Sequence, residues 1–164
     1  MPSFHTTRRV PYTPRQMFNL VADVERYPEF LPLCEALVVR RREREGERDI
    51  LVADMTVGYK AIRETFASRV ELDAARLDVA TTGVPGAMGP FSRLENRWQL
   101  RAVPGEHAGA CDVDFLIAYE LRSAMLQMLV GALFDRAFAR YTEAFEARAR
   151  AVYGVAPPAA REAS

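Results

Sequence analysis

The stretch from Ser123 to Tyr153 constrains the fold most, because apolar residues recur through it at helical spacing and its first half is apolar almost all the way round. The segment 124–134, AMLQMLVGALF, contains no charged residue. A helix without a polar face is buried on several sides, faces an apolar ligand or contacts a membrane. The sequence therefore predicts one long C-terminal helix with an unusual N-terminal half. A core helix in which methionine fills irregular gaps is an equal alternative.

Size and charge restrict the remaining possibilities. A chain of 164 residues, 49% of them hydrophobic, suits one domain with a real core, which we expect over residues 1–153, followed by a disordered tail at 154–164. The formal net charge is zero and the pI is near 6.8, so we expect no DNA partner. No apolar run reaches the roughly 18 residues of a membrane span, and no signal peptide is visible. These features favour a cytoplasmic protein.

The two cysteines, Cys34 and Cys111, lie outside any CxxC or Cys/His pattern. This placement indicates a reducing compartment and no zinc site. No other cluster of metal ligands is visible, and we expect no metal and no cofactor.

The rest of the chain predicts short helices followed by a meander of strands. Thr13, Pro14 and Gln16 form a capping box that begins a helix after a first strand at 4–10. A second short helical turn enters the proline-containing segment 27–34. Strand patterns follow at 37–40, 50–57, 60–72, 77–84, 91–102 and 111–121, with a hairpin turn at Glu45-Gly46.

Short turns between these strands predict an antiparallel sheet, and only the C-terminal helix is long enough to cover its apolar face. The expected fold class is α+β: a curved sheet of about seven strands wrapped around the long helix, with two short helices after the first strand. Such a sheet encloses more space than side chains fill. We therefore expect a ligand cavity between the sheet and the helix.

The segment 27–34, YPEFLPLC, resembles the proline-rich signature of the coenzyme Q-binding START-domain family, part of the polyketide cyclase/dehydrase-like helix-grip superfamily. The resemblance continues in 64–70, in 89–91 with Leu94 and Trp98, and in 144–149. The signature residues are Tyr27, Pro28, Phe30, Leu31, Pro32 and Cys34. The family often has Trp directly before the motif cysteine, whereas this chain has Leu33. This departure bears on the shape of the pocket and on the identity of the ligand.

Membership implies a helix-grip fold whose cavity binds a polyisoprenoid quinone such as ubiquinone, or a related lipid. The resemblance implies a carrier or chaperone that supports respiration, not an enzyme, at or beside a bacterial inner membrane. The family also includes ribosome-association toxins, which act on the large ribosomal subunit. The same sequence pattern serves both descriptions.

On the quinone hypothesis, apolar residues of the strands and of the C-terminal helix form the cavity wall. They are Phe66, Val70, Trp98, Phe115, Ile117, Met125, Leu129, Leu133 and Phe134. The polar candidates for headgroup contacts are Glu64, Ser68, Asn96 and Tyr119. Serine, asparagine and tyrosine donate hydrogen bonds to quinone carbonyls, and Glu64 does so only when protonated. Plain core packing and rim positions satisfied by backbone or water explain the same residues.

Two further functions compete with lipid binding. A polyketide cyclase-like enzyme would use Glu64, Tyr119 and His5 as acid and base groups, but the sequence contains no nucleophile elbow and no phosphate-binding glycine loop. His5 and His107 have no carboxylate partner at visible spacing, so we expect both at the surface or at a strand edge.

A ribosome-directed protein would contact phosphates through arginines. The candidates are Arg40, Arg41, Arg42, Arg44, Arg93, Arg97 and Arg101. Intervening glutamates make a solvated strand face the simpler explanation. A carrier of an insoluble lipid also needs transient contact with a membrane surface, for which Met88 and the Phe30-Leu31 segment are the candidates. Inward packing is the alternative for both.

Overall fold

The computed structural model describes residues 3–105 and 109–154 and contains one antiparallel sheet with helices on one side. The elements are β1 (Ser3–Val10), α1 (Pro14–Ala22), a 3-10 segment (Val24–Glu29), β2 (Cys34–Glu45), β3 (Arg48–Tyr59), β4 (Ile62–Asp73), β5 (Asp78–Gly83), β6 (Phe91–Ala102), β7 (Cys111–Leu121), α2 (Ala124–Ala139) and α3 (Tyr141–Tyr153). The strand order across the sheet is β1-β7-β6-β5-β4-β3-β2. The predicted α+β class and the seven strands are confirmed.

The start of α1 follows the predicted capping box. The Gln16 backbone N–H donates to the Thr13 hydroxyl at 3.1 Å, and the Thr13 N–H donates to the Gln16 side-chain oxygen at 2.9 Å. Two otherwise unpaired donors at the helix start are thereby satisfied. Tyr12 and Met17, on either side of the helix start, are both buried in the core.

The predicted single C-terminal helix is wrong in one respect, because the structure divides it at Arg140. The Arg140 N–H donates to the Ala137 carbonyl at 3.1 Å, an i to i−3 bond that tightens the turn. The two helices have different attachments. Tyr153 and Tyr12 tie the end of α3 to the region of α1, through bonds to Gln16 O at 3.0 Å and Gly154 O at 2.8 Å.

The sheet curves around its apolar face. Residues from six strands, β2 to β7, line one internal cavity, which requires a concave surface. Register shifts between Val39 and Arg41 in β2 and between Phe91 and Arg93 in β6 mark bulges, which bend strands. The helices cover the concave face, and charged side chains occupy the convex face.

Within the described ranges, no helix is long and apolar enough to cross a membrane. The predicted tail lies outside the described residues except for Gly154, and so does His107.

Candidate functional site: an uncharged cavity and an adjoining groove

A cavity of ≈ 80 Å³ lies between the concave face of the sheet and the two C-terminal helices. Six of the residues predicted for the site line it: Phe66, Ser68, Val70, Asn96, Trp98 and Ile117. Two more lining residues, Tyr27 and Leu31, belong to the proline-rich signature, and the remaining ones were not predicted for the site. These others are Val24, Leu37, Ala53, Met55, Val79, Thr81, Leu94, Phe138, Tyr141 and Phe145. Among the described residues, the lining therefore contains no charged side chain.

The polar groups of the cavity come from neighbouring strands and from α3. Thr81 on β5 lies directly opposite Asn96 on β6, and Ser68 lies on the adjacent strand β4. The Asn96 amide donates one hydrogen bond to the Leu116 carbonyl at 2.9 Å. Ser68 and Thr81 both line the cavity. Both hydroxyls are therefore available to a ligand.

Tyr141 faces this polar row from the first turn of α3. Burial raises the pKa of its hydroxyl well above the ordinary tyrosine value, because the phenolate would be poorly solvated there. Its hydroxyl therefore keeps its proton at physiological pH and serves as a donor.

Aromatic rings form one end of the cavity. The Trp98 ring centroid lies 4.5 Å from that of Phe115 and 4.8 Å from that of Phe145, and Phe145 also packs against Tyr27. Phe115 is fully buried behind Trp98 and does not line the cavity, contrary to its predicted place in the wall. Its role is to support the tryptophan ring.

A smaller groove of ≈ 30 Å³ lies beside the cavity, under the N-terminal half of α2. Its walls include Leu126, Val130, Leu133 and Phe134 of α2, and Val57, Tyr59, Ile62 and Glu64 of β3 and β4. Leu133, Phe134 and Glu64 were predicted for the main cavity, and the structure places them in this groove instead.

Three aromatic rings separate the groove from the cavity. Phe91 lies 5.1 Å from Phe66 and 5.3 Å from Phe134, measured between ring centroids. Phe66 lines the cavity and Phe134 lines the groove.

Two residues of the predicted wall lie in solvent. Met125 and Leu129 are each 70% exposed. The side of α2 that packs on the sheet carries Val130, Phe134 and Phe138, which are buried. The apolar composition of α2 extends to its solvent side, and Met125 and Leu129 belong to that side.

Tyr119 connects the sheet to α2 and does not line the cavity, contrary to its predicted headgroup role. Its hydroxyl donates to the Asp135 carboxylate and lies 3.3 Å from the Gly131 carbonyl oxygen. Among the described residues, the Tyr119–Asp135 contact links the sheet to α2 by a hydrogen bond between side chains.

The proline-rich segment 27–34 contributes to the walls of both the cavity and the groove. Tyr27 and Leu31 line the cavity, and the Tyr27 hydroxyl donates to the Val21 carbonyl. Phe30 packs edge-on against Phe145 at 5.0 Å, beneath the Arg148 guanidinium at 5.1 Å. Phe30 is therefore partly buried against the core, and its contact with a membrane stays a prediction. Met88 is also half-buried against the core, and its contact with a membrane likewise stays a prediction.

Leu33, which occupies the position of the family's tryptophan, adopts a left-handed backbone conformation with φ of +67°. Its carbonyl accepts a hydrogen bond from the Gly58 N–H at 2.9 Å, and its side chain lines the groove. A leucine in this conformation is strained by roughly 1–2 kcal/mol. The departure from the family pattern therefore affects the groove and not the main cavity.

The acid and base groups of the enzyme hypothesis do not meet. His5 lies on the convex face, where its Nε2 is 2.8 Å from Asp114 Oδ1, so it has the carboxylate partner that spacing did not reveal. Glu64 lines the groove, and Tyr119 is bonded to Asp135. Among residues 3–105 and 109–154, no group of three or more His, Cys, Asp or Glu side chains is placed to hold a metal ion.

The arginines considered for phosphate contacts all have side-chain partners at the surface. The partners are Asp54 for Arg40, Glu43 for Arg41, Glu25 for Arg42, Asp49 for Arg44, Glu95 for Arg93, Asp78 for Arg97 and Gln99 for Arg101. These contacts offset most of the positive charge of these arginines.

Residues 10–146 match the family described as polyketide cyclase / dehydrase and lipid transport. The chain belongs to this family. A START superfamily protein of Mycobacterium smegmatis superposes with a TM-score of 0.73 at 17% identity, covering 92% of this chain and 98% of that one. The predicted START-like helix-grip fold is thereby confirmed.

Relatives within the family carry two kinds of name. The ribosome association toxin RatA of Rickettsia prowazekii is 31% identical over 152 residues, covering 93% of this chain and 99% of the relative. The mitochondrial coenzyme Q-binding protein COQ10 homolog B of Xenopus laevis is 26% identical over 139 residues, covering 85% of this chain and 54% of the relative. An 18 kDa protein of Caulobacter crescentus has a solution structure that superposes with a TM-score of 0.73 at 34% identity, covering 94% of this chain and all of that one.

Proposed function

We propose that this protein binds a hydrophobic lipid with an uncharged polar headgroup, and that the lipid is a polyisoprenoid quinone such as ubiquinone. In this proposal the protein carries or chaperones the quinone in support of respiratory electron transport. One observation carries the proposal: among the described residues, the cavity lining is apolar with a few neutral hydrogen-bonding groups and no charge. A neutral headgroup avoids the cost of burying a charge without a partner.

Quinone chemistry fits the polar row of the cavity. A quinone carries two carbonyl acceptors, and Ser68, Thr81 and Tyr141 each present a hydroxyl donor at the cavity. Each neutral hydrogen bond contributes about 0.5–1.5 kcal/mol. Trp98 and Phe145 provide aromatic surface for the ring beside these donors.

The isoprenoid tail requires more room than the cavity has. Pockets that enclose drug-sized ligands measure about 300–1,000 Å³, whereas the cavity and the groove measure ≈ 80 Å³ and ≈ 30 Å³. We infer that α2 moves away from the sheet during loading and joins the two spaces past the Phe66, Phe91 and Phe134 rings. The break at Arg140 permits this movement while α3 stays fixed. Each buried tail carbon then contributes about 0.8 kcal/mol.

We propose carriage and not catalysis. The candidate acid and base groups lie apart: His5 on the convex face, Glu64 in the groove, and Tyr119 bonded to Asp135 of α2. None of the three lines the cavity. The relative named as a coenzyme Q-binding protein supports the choice of a quinone as ligand.

The test begins with organic extraction and mass spectrometry of protein purified from a quinone-producing host. We expect a co-purifying quinone in the wild type and in Val152→Arg, whose half-exposed side chain on α3 lines neither the cavity nor the groove and serves as the matched control. Ala53→Leu, which fills the cavity, should lose the quinone.

Trp98, the only tryptophan of the chain, provides a second measurement because it lines the cavity. A short-chain quinone should quench its fluorescence, and removal of a hydroxyl in Ser68→Ala or Thr81→Val should weaken binding several-fold. Absence of both the extracted quinone and the quenching would refute the proposal.

Ribosome association is the second candidate function. The relative named as a ribosome association toxin aligns over 93% of this chain, which supports it. Wild-type protein that contains no lipid and sediments with large ribosomal subunits would favour this function. Loss of sedimentation on replacing Arg93, Arg97 and Arg101 would identify the contact face, even though two of the three have carboxylate partners within the protein.

A further inference from the structure

One side of α2 exposes a continuous set of large apolar side chains. Met125 and Leu129 are 70% exposed and Met128 is 86% exposed, at helical spacing that places them on one side. Ala132 continues the set by one more turn. We call these four residues the α2 stripe. Exposed apolar patches of this kind mark sites of protein or membrane interaction.

The α2 stripe lies beside the opening of the groove. Leu126 and Leu133, its neighbours on the helix, line the groove from one side. Tyr59 and Ile62 of the β3–β4 turn line it from the other side and are 44% and 46% exposed. The apolar surface outside is therefore continuous with the apolar groove, and through Phe134 and Phe91 with the rings at the cavity.

Basic residues flank this apolar surface. No charge occurs from Ser123 to Phe134, but Arg122 precedes the stripe and Arg136 follows Ala132 on the same side of the helix. Lys60 lies in the β3–β4 turn, 5.3 Å from the centre of the Tyr59 ring. The nearby acids are Asp135, which is exposed one turn after Ala132 and accepts from the neutral Tyr119 hydroxyl, and Glu64, which lines the groove, so basic residues outnumber acids around the patch by three to two. The rim of the patch is therefore cationic.

We propose that the α2 stripe and the β3–β4 turn dock on the surface of an anionic lipid bilayer, and that the groove is the port through which the lipid enters. This proposal rests on the proposed lipid-binding function. A second protein copy seated on the stripe would cover the groove, whereas a bilayer supplies the lipid that must enter it. The arrangement of an apolar stripe with basic flanks is typical of helices that lie in the membrane interface.

Dimensions agree with such a contact. Met125 to Ala132 spans about 10 Å along the helix at 1.5 Å per residue. Helices of this type bury their apolar face about 5–10 Å into the headgroup boundary, which is enough for methionine side chains.

The experiment is flotation of the full chain with vesicles of phosphatidylcholine alone or with added phosphatidylglycerol. We expect the wild type to float with the anionic vesicles, and Met128→Asp and Leu129→Asp each to weaken binding about tenfold, since each removes one inserted side chain. Val152→Asp is the matched control, because Val152 is a half-exposed apolar residue on the other C-terminal helix. Arg122→Glu and Lys60→Glu should remove the preference for anionic vesicles.

Direct addition of a short-chain quinone, followed by Trp98 fluorescence, separates docking from ligand binding. Met128→Asp that binds the soluble quinone normally but no longer floats supports the proposal. Failure of the wild type to float, or flotation unchanged by both stripe variants, overturns it. A wild-type dimer that Met128→Asp converts to monomer, without flotation, also overturns it and assigns the stripe to self-association. Stripe-dependent flotation without quinone quenching supports docking and overturns the quinone assignment.

Discussion

Replacing Tyr119 by phenylalanine tests whether α2 is attached to the sheet independently of α3. Tyr119 is 1% exposed, and its ring packs 5.2 Å from Phe138, so phenylalanine keeps the packing and loses only the hydroxyl. Burial, followed by the neighbouring Asp135 carboxylate, raises the pKa of Tyr119 well above its ordinary value. The hydroxyl therefore donates to Asp135 throughout the physiological pH range.

The magnitude follows from the partners. A hydrogen bond to a charged group contributes about 1.5–3 kcal/mol. Asp135 is exposed, so water replaces the lost donor and the lower limit applies. We expect the free energy of unfolding to fall by about 1.5 kcal/mol, roughly a tenfold change in the folded-to-unfolded ratio. Urea denaturation with an unchanged slope measures this loss.

Hydrogen exchange read by mass spectrometry locates the effect. Amides of α2 should exchange faster in Tyr119→Phe, and amides of α3 should not. Tyr153→Phe is the matched control, because its hydroxyl bonds the Gln16 carbonyl at 3.0 Å and its loss should loosen the contact between α3 and α1. Equal acceleration in α2 and α3, or none in α2, would show that Tyr119 does not hold α2 separately.

Three further outcomes follow from contacts described above. Phe145→Ala should lower the free energy of unfolding by about 3–5 kcal/mol, because Phe145 is 1% exposed and packs against Trp98. Val152→Ala on the same helix should change it by less than about 0.5 kcal/mol. Urea denaturation measures both values. The Arg9 side chain donates to Asp112 and lowers the pKa of that carboxyl in the folded protein. The pair therefore stabilises the protein above the unfolded pKa of about 3.9, and this stabilisation is lost as pH falls through the lower pKa of the folded state. Asp112→Asn should therefore be less stable than the wild type at neutral pH and equally stable in strong acid, and a difference that persists there would contradict this origin. Burial raises the pKa of Cys34 to about 11 and of Cys111 to about 12, so neither thiol should react with iodoacetamide until the protein is unfolded, as intact-mass measurement would show.

Local sequence patterns were sufficient to predict most strands of the sheet. The alternation over 91–102 assigns Leu94, Asn96 and Trp98 to one face, and all three line the cavity. The Glu45-Gly46 turn and the capping box at Thr13 are decided by neighbouring residues, and the structure contains both. Such features depend on few distant contacts, which is why they are readable without tertiary information.

The position of α2 could not be read in the same way. Periodicity orients a helix only when polar residues mark one side, and the segment 124–134 has no such side. Met125 and Leu129 were therefore assigned inward, although the structure exposes them. The break at Arg140 also lacks a proline or glycine signal, and it depends on the separate anchoring of α2 and α3.

Some site residues were missed although a signal existed. Val79 and Thr81 share a strand face by the period of two, and Tyr141 and Phe145 lie one helical turn apart. The positions of Val24 and Leu31 around the cavity depend on how the irregular segment docks, which local sequence does not determine.

The run of charged residues on β2 affects how readily the protein aggregates at high concentration. β2 forms one border of the sheet, and every residue from Arg40 to Glu45 is charged, with a bulge between Val39 and Arg41. A border strand with these features resists the addition of a strand from another molecule, which is a common route to aggregation. The protein can therefore expose an apolar helix face without polymerising through the β2 edge of its sheet.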